Sequence, residues 1–327
     1  MDGKVRVGFV GTGGITMWSH FPALKEIESV EIAALYDVSE DRAQEAAAKF
    51  GGTVYADCRT MLDEARLDAL FVCLPPFAHT DAELLAAERK IHLFVEKPVV
   101  LDLEQGIEIA EAIKQSGIIS SVGYQLRYAP VAQAAREFLA GKQVALVAGN
   151  RWGGIPGDEN HWWRVMDRSG GMFHEMATHN MDAIRYLVGE VATVYARYSS
   201  SVLGDLPNLT VPDAQVTAME FKNGATGYFS TSCALTKGGG WASTSFILRD
   251  MMLQMSHDSL IVQPEGAATI ALPEAGPGIQ ESFIQAVRTG DQSVVRSDYA
   301  DALKTAEVTL GANESARTGK PVQMKLV

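Results

Sequence analysis

Two segments of the chain carry residues whose types suit proton transfer. Glu96 and Lys97 begin the segment EKP, directly after the apolar run HLFV, and the segment GGMFHEMATHNMD contains Glu175 and His179 four residues apart. A lysine can stabilise a developing oxyanion, and a histidine titrates near neutrality and can accept a proton. On one helix Glu175, His179 and Asp182 would lie close to a common face, so a carboxylate could orient the imidazole. These residues suit acid–base chemistry on a hydroxyl group.

Each cluster also has a structural interpretation. Lys97 would then be a surface lysine paired with Glu96. The second segment would be a helix with one polar stripe and a buried, hydrogen-bonded histidine. Glu175 and His179 include two types of metal ligand, but a third ligand is lacking because His174 lies off the Glu175 face. We therefore expect no metal.

Aromatic and cationic residues form a third cluster in HWWRVMDRSGG. Trp162, Trp163 and Arg164 lie between glycine-containing segments and could form the wall of a polar ligand site. The alternative is packing between two domains.

A glycine-rich turn follows the first apolar strand in KVRVGFVGTGGIT. Gly11, Gly13 and Gly14 would let a backbone approach the pyrophosphate of a dinucleotide at a helix N-terminus, although Thr16 stands where the motif has Gly or Ala. Asp37 ends the next strand and is placed to bind the adenosine ribose. A carboxylate repels a 2′-phosphate, so we expect NAD, with NADP less favoured, and Arg42 is assigned to a face of the following helix.

Strands and helices alternate over the first part of the chain. Apolar strands are predicted at 4–10, 30–37, 53–56, 68–74, 91–96 and 117–124, and helices at 14–26, 39–49, 79–90 and 102–116. This alternation predicts a doubly wound parallel sheet, and ligands bind at the carboxyl ends of its strands.

The pattern changes after Tyr124. One helix in YAPVAQAAREFLAG, a strand at 143–151 and a helix at 172–188 precede a series of long strands, namely VATVYARYSSSV, AQVTAMEF, ATGYFSTSCAL, STSFILRD, MMLQMS and SLIVQP. Helices are predicted at 279–289 and 297–318. We expect a dinucleotide-binding domain at 1–123 and an α/β domain with an antiparallel or mixed sheet at 124–327.

Composition excludes several classes of protein. The chain has 327 residues and a formal net charge of −12, which argues against nucleic acid or an anionic membrane as partner. No apolar run approaches the length of a membrane span, and Met1 to Lys4 lead directly into the first strand without an apolar h-region, so we expect no secretory leader. Three cysteines without CxxC spacing are typical of free thiols in a reducing compartment, so we expect a cytoplasmic protein.

The motifs together resemble the Gfo/Idh/MocA family of oxidoreductases. The resemblance rests on GTGGIT with HFPAL, YD, LPPFAH, EKP, VGYQLRYAP and SGGMFHEMATHNMD, and on the closing segments ESFIQAVRTGD and YADALKTAEVTLGANESARTGKPV. It implies an N-terminal Rossmann domain followed by an α/β domain with a large, open, mostly antiparallel sheet. It also implies a homodimer or homotetramer formed through that sheet.

The resemblance assigns roles to individual residues. For the catalytic group it implies Lys97, His179 and Glu175, the last of which stands where many members have Asp. For the cofactor it implies Gly11, Thr12, Gly13, Gly14, Ile15, Asp37, Leu74, Pro75, His79, Glu96, Trp163 and Arg164. For the substrate it implies Gln125 and Arg127, and we add Asp182.

These assignments predict hydride transfer between a nicotinamide and a secondary alcohol or ketone of a sugar, cyclitol or related polyol. Lys97 and His179 would carry the proton. Two alternatives stay open: a non-catalytic, nucleotide-binding regulator of the same fold, and a dihydrodiol-type dehydrogenase with a more apolar pocket. The intact pair of Lys97 and His179 favours an enzyme.

Overall fold

The computed structural model describes residues 3–79, 81–155, 157–263 and 268–326. The chain forms two compact units. The first combines Met1–Tyr124 with Pro277–Leu303, and the second combines Gln125–Gly276 with Lys304–Val327. The chain thus leaves the first unit beside the expected boundary at 123/124. Residues 277–303, near the C-terminus, belong to the first unit again. The predicted division into two consecutive segments does not include this return.

The first unit is built on a parallel sheet. Its six strands are β1 (Val5–Val10), β2 (Val30–Tyr36), β3 (Thr53–Val54), β4 (Ala69–Val72), β5 (His92–Val95) and β6 (Ser120–Val122). Their order is β3-β2-β1-β4-β5-β6, and each neighbouring pair is parallel. The order reverses between β1 and β4, which opens a ligand crevice at the carboxyl ends of the strands. The predicted doubly wound sheet is confirmed.

Helices connect these strands, with two departures from prediction. They are α1 (Phe21–Lys25), α2 (Glu40–Phe50), α3 (Cys58–Glu64), α4 (Ala82–Glu88) and α5 (Leu103–Ser116). The predicted helix at 14–26 contains a π-helical segment, Thr16–His20, before α1. The sequence analysis missed α3, which begins because the Asp57 carboxylate accepts a hydrogen bond from the Thr60 N–H over 2.7 Å.

The second unit contains a mostly antiparallel sheet, as the resemblance implies. Its nine strands are β7 (Leu146–Trp152), β8 (Val191–Ser199), β9 (Ala214–Phe221), β10 (Thr226–Ser232), β11 (Trp241–Leu248), β12 (Met251–Met255), β13 (Leu260–Gln263), β14 (Ala268–Thr269) and β15 (Val322–Gln323). The order is β14-β13-β12-β11-β7-β10-β9-β8-β15, and only β7 and β10 pair in parallel among these strands. The predicted strand SLIVQP ends with Pro264, which lies outside the described residues.

The remaining helices are α6 (Pro130–Leu139), α7 (Met166–Ser169), α8 (Gly171–Glu175), α9 (Thr178–Val188), α10 (Ile279–Thr289) and α11 (Tyr299–Thr318). The prediction of one helix at 172–188 was wrong, because the chain is interrupted between α8 and α9. Along the described stretches, no helix combines the length and apolar character that a membrane crossing requires.

Aromatic packing explains why the C-terminal segment returns to the first unit. Phe9, Phe71 and Phe94 stack along β1, β4 and β5, with ring centroids 4.9 and 4.5 Å apart. Phe283 of α10 packs edge-on against Phe71 and Phe94 at 5.6 and 5.7 Å. All four side chains are fully buried. Such aromatic pairs contribute about 0.5–1.5 kcal/mol each beyond the area that they bury, so α10 completes the core beneath the sheet.

Candidate active site

The turn after β1 requires glycine at its first position. Gly11 has a φ of +92°, and a Cβ there would lie 2.4 Å from the backbone oxygen of Cys73 at the end of β4. The Thr16 hydroxyl donates a hydrogen bond to the Gly11 carbonyl over 2.9 Å. Thr16, which departs from the usual glycine motif, therefore closes the turn instead of disrupting it.

The next residues leave the outer side of this turn open. A Cβ at Gly13 would meet no atom within 4 Å, and one at Gly14 would meet only Trp18, at 3.6 Å or more. Thr12 is buried, while Gly13, Gly14 and Ile15 are at least partly exposed. Helical structure begins at Gly14, so free N–H groups lie at the open side. This arrangement fits the pyrophosphate of a dinucleotide.

Asp37 lies beside this turn, at the end of β2. Its Oδ2 accepts hydrogen bonds from the N–H and hydroxyl of Thr12, over 2.8 and 3.1 Å. Its Oδ1 accepts from the Ser39 N–H over 2.8 Å and pairs with the Arg42 guanidinium at 2.9 Å. Burial opposes ionisation, but the Ser39 and Thr12 N–H groups, followed by Arg42, outweigh it and lower the pKa of Asp37.

Arg42 is a residue whose position the sequence analysis undervalued. It lies on α2, as expected, but its side chain turns back to Asp37 while remaining 55% exposed. The spacing of five residues from Asp37 was the available signal. The candidate ribose site therefore combines a fixed carboxylate with an adjacent, accessible guanidinium.

The segment from Leu74 to His79 follows β4, at the same edge of the sheet. Leu74 and Pro75 are partly exposed, whereas the His79 side chain is fully buried. Its Nδ1 lies 2.5 Å from Glu83 Oε1, and its Nε2 lies 3.2 Å from the Leu74 carbonyl oxygen. Both ring nitrogens therefore have partners within the fold, and His79 stabilises the segment in which Leu74 and Pro75 are partly exposed.

Glu96 belongs to a buried cluster after β5. Its Oε1 lies 3.0 Å from Nε2 of His20, and Gln280 Nε2 lies 3.1 Å from the other ring nitrogen. The Lys97 N–H donates to Glu96 Oε2 over 3.1 Å. Burial opposes protonation of His20, but Cys73 and Glu96 outweigh it and raise the pKa of His20 to about 10. Glu96 is therefore a buried partner of His20.

Glu175 and His179 do not share one helix. Glu175 ends α8, and α9 begins at Thr178. The N–H groups of Met176 and Ala177 both donate to the Met172 carbonyl, over 3.0 and 2.9 Å, which ends the regular α-helical pattern. The prediction that Glu175 and His179 share one helix face is therefore wrong. Glu175 is buried, and His179 is partly exposed just after the break.

The three residues predicted to bind substrate have different environments. Gln125 is exposed at the start of a 3₁₀ helix, Gln125–Tyr128. Arg127 and Asp182 are buried and form two hydrogen bonds with each other, of 2.7 and 2.6 Å. The Thr305 hydroxyl donates to Asp182 as well, over 3.1 Å. The pair compensates two buried charges, and so fixes α9 against the turn that holds Arg127.

Trp163 and Arg164 lie in a 3₁₀ helix, Trp162–Arg164. The two rings of Trp162 and Trp163 pack edge-on at 5.6 Å. Trp163 Nε1 and Arg164 Nε are buried and have no hydrogen-bond partner among the described residues. Buried N–H donors are normally satisfied, so these two are candidates to donate to a ligand or to water.

The parallel sheet, the glycine turn and Asp37 define a dinucleotide-binding protein of the Rossmann type. Residues 5–124 match a family model described as an oxidoreductase family with an NAD-binding Rossmann fold, and residues 132–247 match the GFO/IDH/MocA C-terminal domain. The chain belongs to the Gfo/Idh/MocA family of oxidoreductases. The resemblance inferred from the motifs is thus confirmed.

Two relatives and one solved structure illustrate the similarity. A scyllo-inositol 2-dehydrogenase (NAD(+)) of Bacillus subtilis is 27% identical over 99% of this chain and 97% of its own length. A myo-inositol 2-dehydrogenase of Thermotoga maritima is 30% identical over 70% of this chain and 68% of its own. The WlbA dehydrogenase from Chromobacterium violaceum, solved with NADH and UDP-GlcNAcA, has a TM-score of 0.87 at 21% identity, covering 100% of this chain and 98% of that one.

Proposed function

We propose that the chain is a dehydrogenase that oxidises a secondary alcohol of a sugar, cyclitol or related polyol, or reduces the corresponding ketone. The observation that carries the proposal is the turn at Gly11 with Asp37 beside it, because this pair fits a dinucleotide and lies at the strand edge that Lys97 also follows. The inositol dehydrogenase relatives support the substrate class.

The proposed mechanism assigns one task to each residue. When bound, a nicotinamide supplies the hydride acceptor. Lys97 donates a hydrogen bond to the substrate oxygen and stabilises the charge that develops there. His179 takes the hydroxyl proton, directly or through Lys97, and Glu175 orients one of these two groups.

We further propose NAD as the preferred cofactor. The Asp37 carboxylate accepts hydrogen bonds and, with its lowered pKa, stays charged at neutral pH, so it favours a free 2′-hydroxyl over a 2′-phosphate. The adjacent Arg42 weakens this discrimination, because it could pair with a phosphate. A lower dissociation constant for NADPH than for NADH would refute the preference.

We also propose a homodimer or homotetramer formed through the open face of the nine-stranded sheet. Trp152, Val216, Tyr228 and Trp241 are exposed, and the strand register places them on one face of the sheet. A sedimentation experiment that finds a 35.3 kDa monomer would refute this assembly.

The deciding experiment supplies NAD⁺ with a panel of sugars, cyclitols and sugar acids, and follows the change in nicotinamide absorbance as NADH forms. We expect Lys97→Ala to lower kcat by about 10²- to 10⁴-fold, the usual cost of losing an acid–base group. The matched control is Lys49→Ala, because Lys49 is an exposed lysine paired with Glu45 on α2. Near-normal turnover in Lys97→Ala would refute the mechanism. If no compound in the panel is turned over while NADH still binds, the result would favour the alternative of a non-catalytic, nucleotide-binding regulator.

A further inference from the structure

A cavity in the second unit lies where β7 and β10 end and β11 begins. It encloses about 280 Å³, and we call it the sheet-end cavity. The side chains that matter for the argument are Arg151, Thr231 and Ala242 from the sheet, and Met172 and Met176 beside the break after α8. Ligand sites for drug-sized molecules measure roughly 300–1,000 Å³. The sheet-end cavity is therefore matched to a small group such as one sugar unit.

The strand register fixes the direction of Arg151. Arg151 lies opposite Thr231 on one side and Ala242 on the other. Val147 and Gly149 precede it at intervals of two, and a Cβ at Gly149 would strike the buried Phe229 ring, at 2.4 Å. Side chains two residues apart in a strand share a face. Arg151 therefore belongs to the inner face of the sheet, where α8 packs.

Arg151 has no compensating charge in the part of the chain that the structure describes. Its side chain makes no hydrogen bond or ion pair with any described residue, and burial alone lowers its pKa. Among the described residues that line the sheet-end cavity, it is the one charged side chain. The chain has 40 acidic residues and 28 basic ones, so acidic residues that could pair with Arg151 are plentiful. Arg151 is partly buried. Partial withdrawal of a guanidinium from water without a partner costs free energy, and its five N–H donors form a fork that matches a carboxylate or phosphate.

We propose that Arg151 binds an anionic group on the substrate, so that the chain acts on an acidic sugar carrying a carboxylate or a phosphate. This inference rests on the proposed function, since it takes the substrate to be a sugar or polyol. It is consistent with the position of Met176 in the cavity wall, because Met176 directly follows Glu175 and precedes His179 by three residues. Arg151 thus serves as a specificity residue and not as a catalytic one.

The test compares acidic and neutral sugars of similar size. Isothermal titration calorimetry with saturating NADH, which cannot accept a hydride, measures binding without turnover. The probes are D-glucuronate, D-glucose 6-phosphate, inorganic phosphate and D-glucose. The variants are Arg151→Met and the control Arg197→Met, which removes an exposed arginine of β8.

We expect the protein to bind at least one anionic probe about 10- to 100-fold more tightly than D-glucose, as a charge-assisted hydrogen bond predicts. Arg151→Met should abolish this preference and leave the affinity for D-glucose unchanged, and Arg197→Met should have no effect. A preference for glucuronate identifies a carboxylate as the bound group, and a preference for glucose 6-phosphate identifies a sugar phosphate. If inorganic phosphate alone binds as tightly as the preferred sugar, the cavity is a site for a free anion and the sugar assignment is overturned. If Arg151→Met alters no anionic affinity, the inference is overturned.

Thermal unfolding provides a readout that separates binding from folding. The preferred anion should raise the Tm of the wild-type protein but not of Arg151→Met. Without ligand, Arg151→Met should be at least as stable as wild type, because it removes a partly buried charge that has no partner among the described residues. A large drop in its Tm would show that Arg151 stabilises the fold, which contradicts the inference.

The outcomes also separate this inference from the proposed function. Arg151-dependent anion binding without turnover of any sugar would refute the dehydrogenase and leave the anion site standing. Lys97-dependent turnover of neutral polyols without an anion preference would support the dehydrogenase and refute the anion site at Arg151.

Discussion

Buried His20, whose pKa is raised by Cys73 and by its partner Glu96, should make the stability of the protein fall as the pH rises above neutrality. The pKa of His20 is about 10 in the folded state, against 6.5 for an unperturbed histidine. Below pH 6.5 the ring is protonated in both the folded and unfolded states, and the contribution of the pair is fully present. Between pH 6.5 and 10 only the folded state retains the proton, so stability is lost over this window.

The size of the effect follows from the same shift. One proton difference changes the free energy of unfolding by about 1.4 kcal/mol per pH unit, and the full window corresponds to about 5 kcal/mol. Removing one partner leaves the other buried without compensation. We therefore expect His20→Gln alone to cost about 3–5 kcal/mol at pH 7. His20→Gln/Glu96→Gln removes both charges and should cost less than the single variant at that pH.

The assay is urea unfolding of wild type and of the double variant at pH 6.5, 7.5, 8.5 and 9.5. The stability of the wild type relative to the double variant should decrease by about 1.4 kcal/mol for each pH unit. Taking this difference cancels the titration of other groups. His257→Gln is the control, since His257 is an exposed histidine in the second unit, and it should show the wild-type slope.

Parallel curves for wild type and the double variant would refute the reasoning, because His20 would then titrate in the folded state as it does in the unfolded chain. The same result would remove the explanation of how Glu96, and with it the backbone of Lys97, is held in place.

Three further predictions concern the cofactor turn and the second unit. Gly11→Ala should lower stability by at least about 1–2 kcal/mol and weaken NADH binding, since φ is +92° and the new Cβ meets a backbone oxygen at 2.4 Å; urea unfolding and a fluorescence titration measure the two effects. Asp37→Ser should shift the ratio of NADH to NADPH affinity toward NADPH by about 10-fold or more, because it removes a negative charge and frees Arg42 for a phosphate; unchanged ratios would contradict this. Asp182→Asn should cost about 3–5 kcal/mol in urea unfolding, because Arg127 loses a buried partner, and a loss below about 1 kcal/mol would show that the pair is not compensating charge.

Local patterns determined much of the first unit. The continuous apolar runs ALFV and HLFV are typical of strands covered on both faces, and they are buried throughout or nearly so in β4 and β5. The glycine turn and the acid at the end of the next strand could also be predicted, because the conformation of a turn and its adjoining strand depends on residues that are close in the sequence. The family could be recognised for the same reason, since its motifs are short and their order is fixed.

The tertiary structure decided which of the candidate residues remain available to a ligand. The sequence placed His79 and Asp182 in the site, but packing turns both inward to the partners Glu83 and Arg127. The interruption between α8 and α9 is likewise invisible in the pattern, because two irregular residues hardly disturb a helical period.

The same holds for the features from which the new inferences come. His20 meets Glu96 across 76 residues. Arg151 pairs with no acid among the residues that the structure describes, although the chain is rich in acidic residues. Sequence alone determined the fold class and the cofactor turn, since both follow from local geometry and periodicity. Only the tertiary structure could decide which charges are paired and which are left for a ligand, because pairing depends on side chains that are distant in the sequence and adjacent only after folding.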